Sequence, residues 1–262
     1  MYTNADVAIE GASGDKVGVV IYGGLTQTIP SEEPLTFPLK VPIWVLLAGS
    51  PEEILEGIVS AQERGSTHIK IKISQLTVPQ AKRVLKQLDP SLHWRIDCNR
   101  AFTLDQALEI FSGTAGLPHL CIEEPLYDLD SLPRFPFPFA LDETLEEFPE
   151  FPIHSYPKLS TLILKPTILG GKKGCQPLLE KAQSHGLNVI FTGAYESGIG
   201  TLQIVSFAQR IKGQVGAKFE IEPLGLGTYS FLEEDVLVPR LNVEGKELIL
   251  ENYPALYQQR AD

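Results

Sequence analysis

Lys70, Lys72, Asp97, Glu123, Asp142 and Lys165 are the residues whose types and spacing could do chemistry. Each sits in or at the end of a short apolar run, at 68–73, 93–97, 119–123, 137–142 and 161–165. Carboxylates from three successive runs could meet one cation. Asp and Glu oxygens without nearby His or Cys ligands favour a hard ion, so Mg²⁺ fits best, with Mn²⁺ as its substitute. Lys72 from one side and Lys165 from the other would flank whatever the metal holds. Lysines placed so could move a proton or stabilise developing negative charge.

Each position has a plain alternative when taken alone. Asp97 could cap the next helix, and Glu123-Glu124-Pro125 could be a solvated turn. Lys165-Pro166 could carry a surface lysine, and Lys70 and Lys72 could be one exposed strand face. The joint pattern of Lys, Asp, Glu, Asp and Lys at five successive run ends is much harder to reach by accident.

The elements that must position them follow from texture. Apolar runs at 42–47, 68–73, 93–97, 119–123, 137–142, 161–165, 188–192 and 218–222 read as strands. Amphipathic stretches at 51–64, 78–88, 103–111, 171–185 and 198–211 read as helices, with Thr103 as an N-cap. Alternation of this kind signals βα units and a parallel sheet. Eight strands at this spacing predict a (β/α)₈-type TIM barrel of the α/β class, whose catalytic face lies at the strand C-termini. No glycine-rich dinucleotide fingerprint follows the first strand, which weakens the open doubly wound alternative. Side chains alternate along a strand, so Lys70 and Lys72 share a face, and Ile69, Ile71 and Ile73 should face the helices.

The barrel is expected over residues 41–224. Residues 1–40 hold strand candidates at 6–10 and 17–22 and a Pro-rich connection at 29–42. They read as a short N-terminal α+β cap segment. Residues 225–262 read as strand and loop packing on barrel or cap.

Composition sets the outer bounds. The 262 residues are 43% hydrophobic and 21% charged, which suits an ordinary core. The net charge of −11 argues against nucleic acid and anionic membrane as partners. An anionic substrate would need a local cation. Cys98, Cys121 and Cys175 lack metal-ligand spacing and read as reduced, buried thiols of a reducing compartment. No signal-peptide pattern opens the chain, and no apolar run approaches the ~20 residues of a membrane span, so a cytoplasmic location is expected.

The charged set resembles the enolase superfamily. Lys-x-Lys, Asp-x-Asn, Glu-Glu-Pro, Asp-Glu and Lys-Pro stand in the order of its muconate-lactonizing subgroup. Within it the sequence is similar to the o-succinylbenzoate synthases over about residues 41–235. Four segments carry this: Ile96-Asp97-Cys98-Asn99-Arg100-Ala101-Phe102; Lys165-Pro166-Thr167; Thr192-Gly193-Ala194-Tyr195-Glu196-Ser197; and Gly225-Leu226-Gly227-Thr228.

The resemblance implies metal ligands at Asp97, Glu123 and Asp142. It implies a catalytic base at Lys72 with Lys70 as its electrostatic partner, and a charge-stabilising lysine at Lys165. Asn99, Thr192 and Gly193 are implied substrate or supporting contacts, with Glu196 supporting or structural and Glu124 and Glu143 behind the ligands. The implied reaction is dehydration of 2-succinyl-6-hydroxy-2,4-cyclohexadiene-1-carboxylate to 2-succinylbenzoate in menaquinone biosynthesis, through an enediolate-type anion. The partner is then a small-molecule carboxylate.

The first rival is a dipeptide epimerase or N-acylamino acid racemase of the same superfamily, with both lysines as bases. A non-catalytic ligand-binding barrel and a phosphate-binding barrel using glycines 193–200 or 225–227 are the others. Residues 1–40 are few beside the superfamily's usual cap, which suggests a more open site or association with another subunit. The oligomeric state stays open.

Overall fold

The computed structural model describes residues 39–250, apart from 115, 149 and 216–222. The strand candidates at 6–10, 17–22 and 218–222 therefore lie outside the described residues, as does nearly all of the cap segment.

A short antiparallel sheet holds β1 (Leu39–Pro42). The main sheet is parallel and runs in sequence order. Its strands are β2 (Val45–Leu47), β3 (His68–Lys72), β4 (His93–Asp97), β5 (Leu120–Glu123), β6 (Phe139–Leu141), β7 (Leu159–Leu164) and β8 (Asn188–Phe191). Helices α1 (Pro51–Glu63), α2 (Val78–Leu85) and α3 (Leu104–Phe111) connect β2 to β5. After β5 comes a 3₁₀ turn, Leu129–Arg134, and after β6 the five-residue helix α4 (Glu143–Glu147). Short α5 (Pro166–Leu169) leads into α6 (Gly171–His185) after β7, and α7 (Gly198–Val215) follows β8. Mixed α/β architecture with a parallel sheet is thus as the sequence implies.

The sheet curls. Trp44 N donates to Leu224 O at 2.9 Å and Leu224 N to Pro42 O at 3.0 Å. On the other edge Gly225 N donates to Phe191 O at 2.8 Å and Gly193 N to Gly225 O at 3.1 Å. Residues 224 and 225 therefore touch both edges through parallel bridges.

The run 42–47 is one strand by texture but two in space. Pro42 ends β1, which pairs with β10 (Glu247–Leu250), itself paired with β9 (Asn242–Glu244). Ile43 N still donates to Lys246 O at 2.9 Å, while Trp44 N already bonds the other sheet. Pro42 has no N–H to extend either ladder, so the chain changes sheet there.

Helix starts follow local chemistry. Ser50 and Glu53 exchange capping-box bonds at α1, and Thr103 and Gln106 do so at α3. The isoleucines Ile69, Ile71 and Ile73 are fully buried, as their strand phase requires. No helix among the described residues is long and apolar enough to cross a membrane.

Candidate active site

The parallel register builds the site in levels. Lys70 pairs with Arg95 and Lys72 with Asp97 between β3 and β4. Arg95 pairs with Cys121 and Asp97 with Glu123 between β4 and β5. The charged residues of one face therefore stack above one another toward the strand C-termini.

Lys70 Nζ lies 2.8 Å from Asp97 Oδ2 and 2.8 Å from Glu123 Oε1. Buried Arg95 closes the other side of Glu123, with Nε 3.1 Å from Oε2 and its guanidinium 5.1 Å above the Trp44 ring. Lys72 is looser. Its Nζ lies 3.4 Å from Asp97 Oδ2 and donates to Asn99 Oδ1 at 3.3 Å. Asn99 Nδ2 donates in turn to Glu143 Oε1 at 2.8 Å. From β7, Lys165 Nζ reaches Asp142 Oδ1 and Glu146 Oε1, both at 2.8 Å.

Burial and charge compete at every member. Burial disfavours the Lys70 ammonium, but Glu123, Asp97 and Asp142 outweigh it and raise its pKa. Lys165 is raised in the same way, with Asp142 and Glu146 overcoming burial. Burial would raise Glu123, yet Lys70 and Arg95 hold it well below the usual carboxylate range. Asp142 is pushed up, by burial first and then by the Glu123 charge, against the pull of Lys165. The 2.8 Å Lys165 contact argues for an ionised pair all the same, with Asp142 the carboxylate whose charge is hardest to keep. Burial likewise lifts the thiols of Cys98 and Cys175, the latter to about 12, which suits reduced cysteines.

Asp97 and Glu123 end adjacent strands and Asp142 directly follows the next, as the sequence pattern requires. Asp97 Oδ2, Glu123 Oε2 and Asp142 Oδ1 are buried and lack hydrogen-bond partners. Their ion pairs lie at contact distance but off hydrogen-bond direction. Each oxygen faces an ammonium or guanidinium, and three carboxylates on neighbouring strands fit a hard divalent cation in type and charge. Among the described residues no three such side chains are gathered to hold a metal. Lys70 bridges Asp97 and Glu123 instead, Arg95 faces Glu123 and Lys165 takes Asp142.

The remaining expected contacts are placed as follows. Thr192 Oγ1 donates to Gly225 O at 2.7 Å, so its hydroxyl secures the 224–225 segment. Glu196 accepts from Thr167 Oγ1 and from Ala194 N, tying the loop after β8 to α5. Gly193 lies under that carboxylate, where a Cβ would come within 2.5 Å of Glu196 Oε2.

Sequence reasoning passed over Arg95, Glu146 and Arg100. Arg95 was legible, since it is two residues before Asp97 on the same face. Arg100 pairs with Glu147, reaching from the loop after β4 to α4. Asn99, Arg100, Glu124 and Tyr195 all have left-handed φ without being glycine. All four follow strand C-termini, where backbone strain commonly marks function.

Known proteins resemble this chain in sequence and fold. Residues 53–254 match the family described as Enolase C-terminal domain-like. The chain is 30% identical to Protein PHYLLO, chloroplastic, of Arabidopsis thaliana over 79% of its own length and 13% of that protein. It is 28% identical to o-succinylbenzoate synthase of Haemophilus influenzae, over 73% of this chain and 58% of that one. A dipeptide epimerase from Cytophaga hutchinsonii, solved with Mg and D-Ala-L-Val, superposes with a TM-score of 0.65 at 17% identity, covering 81% of this chain and 59% of that one. The chain thus spans less than two thirds of each.

Proposed function

Because the chain belongs to the Enolase C-terminal domain-like family, we propose that it is a dehydratase of the o-succinylbenzoate synthase kind. Its substrate is 2-succinyl-6-hydroxy-2,4-cyclohexadiene-1-carboxylate. The observation that carries this reading is an asymmetry between the two lysine arms. Lys165 is pinned by two carboxylates at 2.8 Å with its side chain 14% exposed. Lys72 has contacts of 3.3 and 3.4 Å, with its side chain 37% exposed. One loosely held base and one tightly held cation suit a one-base elimination.

Lys72 Nζ takes the proton on the ring carbon that bears the carboxylate. The electron pair left behind forms the new ring double bond as the hydroxyl departs. Lys72 returns the proton to that hydroxyl, so water leaves and the ring becomes aromatic. Lys165 holds the negative charge that builds on the substrate meanwhile. Asp97, Glu123 and Asp142 are the proposed holders of Mg²⁺, which when bound would neutralise charge on the substrate carboxylate. Lys70 and Arg95 fix Asp97 and Glu123 from behind. Asn99 steadies Lys72, and Thr192, Gly193 and Glu196 shape the loop after β8.

The same reading makes residues 41–224 a complete (β/α)₈ barrel, with 218–222 as its eighth strand, flanked by 1–40 and 225–262. The second reading is dipeptide epimerisation. It is favoured by the fold likeness to an epimerase and by lysines on both sides of the site.

The test is conversion of the cyclohexadiene substrate to 2-succinylbenzoate, followed by ultraviolet absorbance with Mg²⁺ and with EDTA, for wild type and Lys72→Ala. Metal-dependent turnover that vanishes in the variant is expected. A folded, Mg²⁺-loaded wild type without turnover removes the synthase assignment, and dipeptide epimerisation is then assayed on the same sample.

A further inference from the structure

Asp142 stands at the N-cap position of α4, yet its side chain makes no cap hydrogen bond. Asp is among the best N-cap residues, because its carboxylate can satisfy the free N–H groups of the first turn. Here that carboxylate is turned to Lys165. The turn is capped from another strand. Glu124, one residue beyond β5, accepts from Asp142 N at 2.7 Å and Thr144 N at 2.8 Å through Oε1. Its Oε2 accepts from Thr144 Oγ1 at 2.7 Å.

We infer that Glu124 is a positioning residue: it caps α4 in place of Asp142 and so frees the Asp142 carboxylate for the site. The inference rests on the metal-holding role given to Asp142 above.

The arrangement has a cost that a mere surface turn would not carry. Glu124 is 1% exposed, and its φ is +45°. A buried carboxylate and a left-handed non-glycine residue are both unfavourable unless the surroundings hold them. They are held: Glu124 N donates to Ala140 O at 3.0 Å, and Arg100 N donates to Glu124 O at 2.8 Å.

The clamp reaches further through α4. Glu143 of this helix holds Asn99, which receives Lys72, and Glu146 holds Lys165. Glu147 holds Arg100. One five-residue helix thus carries the carboxylates that steady both lysine arms. Glu124 fixes where that helix begins.

The experiment compares wild type with Glu124→Gln, Glu124→Leu and Thr144→Val. Mn²⁺ binding is measured without substrate from the free-ion EPR signal, and kcat and KM are measured separately. Circular dichroism checks folding. Gln keeps an oxygen for both backbone donors and can donate to Thr144 Oγ1. Glu124→Gln is therefore expected within about threefold of wild type in Mn²⁺ affinity. Glu124→Leu leaves those donors unpaired in a buried place and is expected to weaken Mn²⁺ binding about tenfold or more, with kcat falling further than KM rises.

A folded Glu124→Leu within twofold of wild type in Mn²⁺ affinity and kcat overturns the inference. So does a Glu124→Gln as damaged as Glu124→Leu, because charge rather than capping would then matter. If the leucine variant does not fold, Thr144→Val decides: a threefold or greater loss of Mn²⁺ affinity is expected, and an unchanged affinity overturns the inference. A wild type that binds no Mn²⁺ overturns the metal reading itself, an outcome distinct from a wild type that binds and variants that bind equally.

Discussion

Lys165 Nζ and Asp142 Oδ1 meet at 2.8 Å, joining the end of β7 to the turn after β6. Glu146 Oε1 holds the same ammonium at the same distance. Lys165 is therefore a fixed charge, whereas Lys72 keeps room to move. Two bases of equal standing would be expected to have similar freedom.

This asymmetry makes Lys165→Arg and Lys72→Arg unequal. Arginine keeps positive charge but cannot serve as a base. Dehydration by Lys165→Arg is expected to persist at roughly a tenth of wild type or above, with any dipeptide epimerisation abolished. Lys72→Arg should lose dehydration by a factor of about 10² to 10⁴. Loss of both reactions in Lys165→Arg would show that Lys165 exchanges protons in the dehydration as well.

Magnesium should act on stability as well as on rate. A ligand that binds only the folded state adds about 2.7 kcal/mol at a hundredfold excess over its Kd. Buried Asp97 Oδ2, Glu123 Oε2 and Asp142 Oδ1, which face Lys70, Arg95 and Lys165, are the oxygens that would receive it. The thermal midpoint should rise with Mg²⁺ concentration and fall back with EDTA. Asp142→Asn should remove most of that rise. A midpoint indifferent to Mg²⁺ in the wild type would argue that these oxygens serve the lysines alone.

Arg95 gives a prediction on stability alone. It is 1% exposed, faces Glu123 Oε2 at 3.1 Å and covers Trp44. Removing one partner of a buried pair strands the other charge, at a cost of about 3–5 kcal/mol. Arg95→Leu should show a loss of that order in urea unfolding followed by tryptophan fluorescence. A loss under about 1 kcal/mol would mean that Lys70 by itself neutralises Glu123.

Much of this site was legible because strand periodicity is a strong constraint. Lys70 and Lys72 alternate with isoleucines, so the phase of β3 was fixed by hydrophobic burial, and the strand order followed from the βα rhythm. Arg95 obeys the same phase as Asp97. That phase alone made it legible, and the pairing of β4 with β3 then sets it beside Lys70. Glu146 and Glu147 were hidden for a different reason. A five-residue helix completes little more than one turn, too short for a 3.6-residue period to register. The Pro- and Phe-rich stretch before it obscures the helix start further. Pro42 broke the first apolar run where composition showed only continuity, since hydropathy does not record a missing N–H. The pairing of Asp97, Glu123 and Asp142 with Lys70, Arg95 and Lys165 was not legible at all, because it depends on which cation each oxygen meets.

The last prediction comes from the opposite end of the strands. His68, His93 and His119 stack across β3, β4 and the residue before β5, with ring centroids 4.2 and 4.3 Å apart. The edge of Trp44 closes the stack against His68 at 5.0 Å, and Thr67 Oγ1 lies 3.0 Å from His68 Nδ1. Burial lowers the His68 pKa to about 4, and His93, His119 and Lys246 press it the same way. The folded protein thus takes up this proton at lower pH than the unfolded chain, where the value is 6.5. Stability from a neutral His68 is then full above about pH 6.5 and drains away as pH falls toward 4. The ring is only half-buried, so solvent screening limits the effect to on the order of 1 kcal/mol. Urea midpoints at pH 7.5 and pH 4.5, measured for wild type and His68→Gln, check it, the two pH values being about the edges of the titration window. The wild type should lose more stability between them than the variant does. Equal losses in the two proteins would mean that acid acts through the carboxylates of the site and not through the imidazole stack.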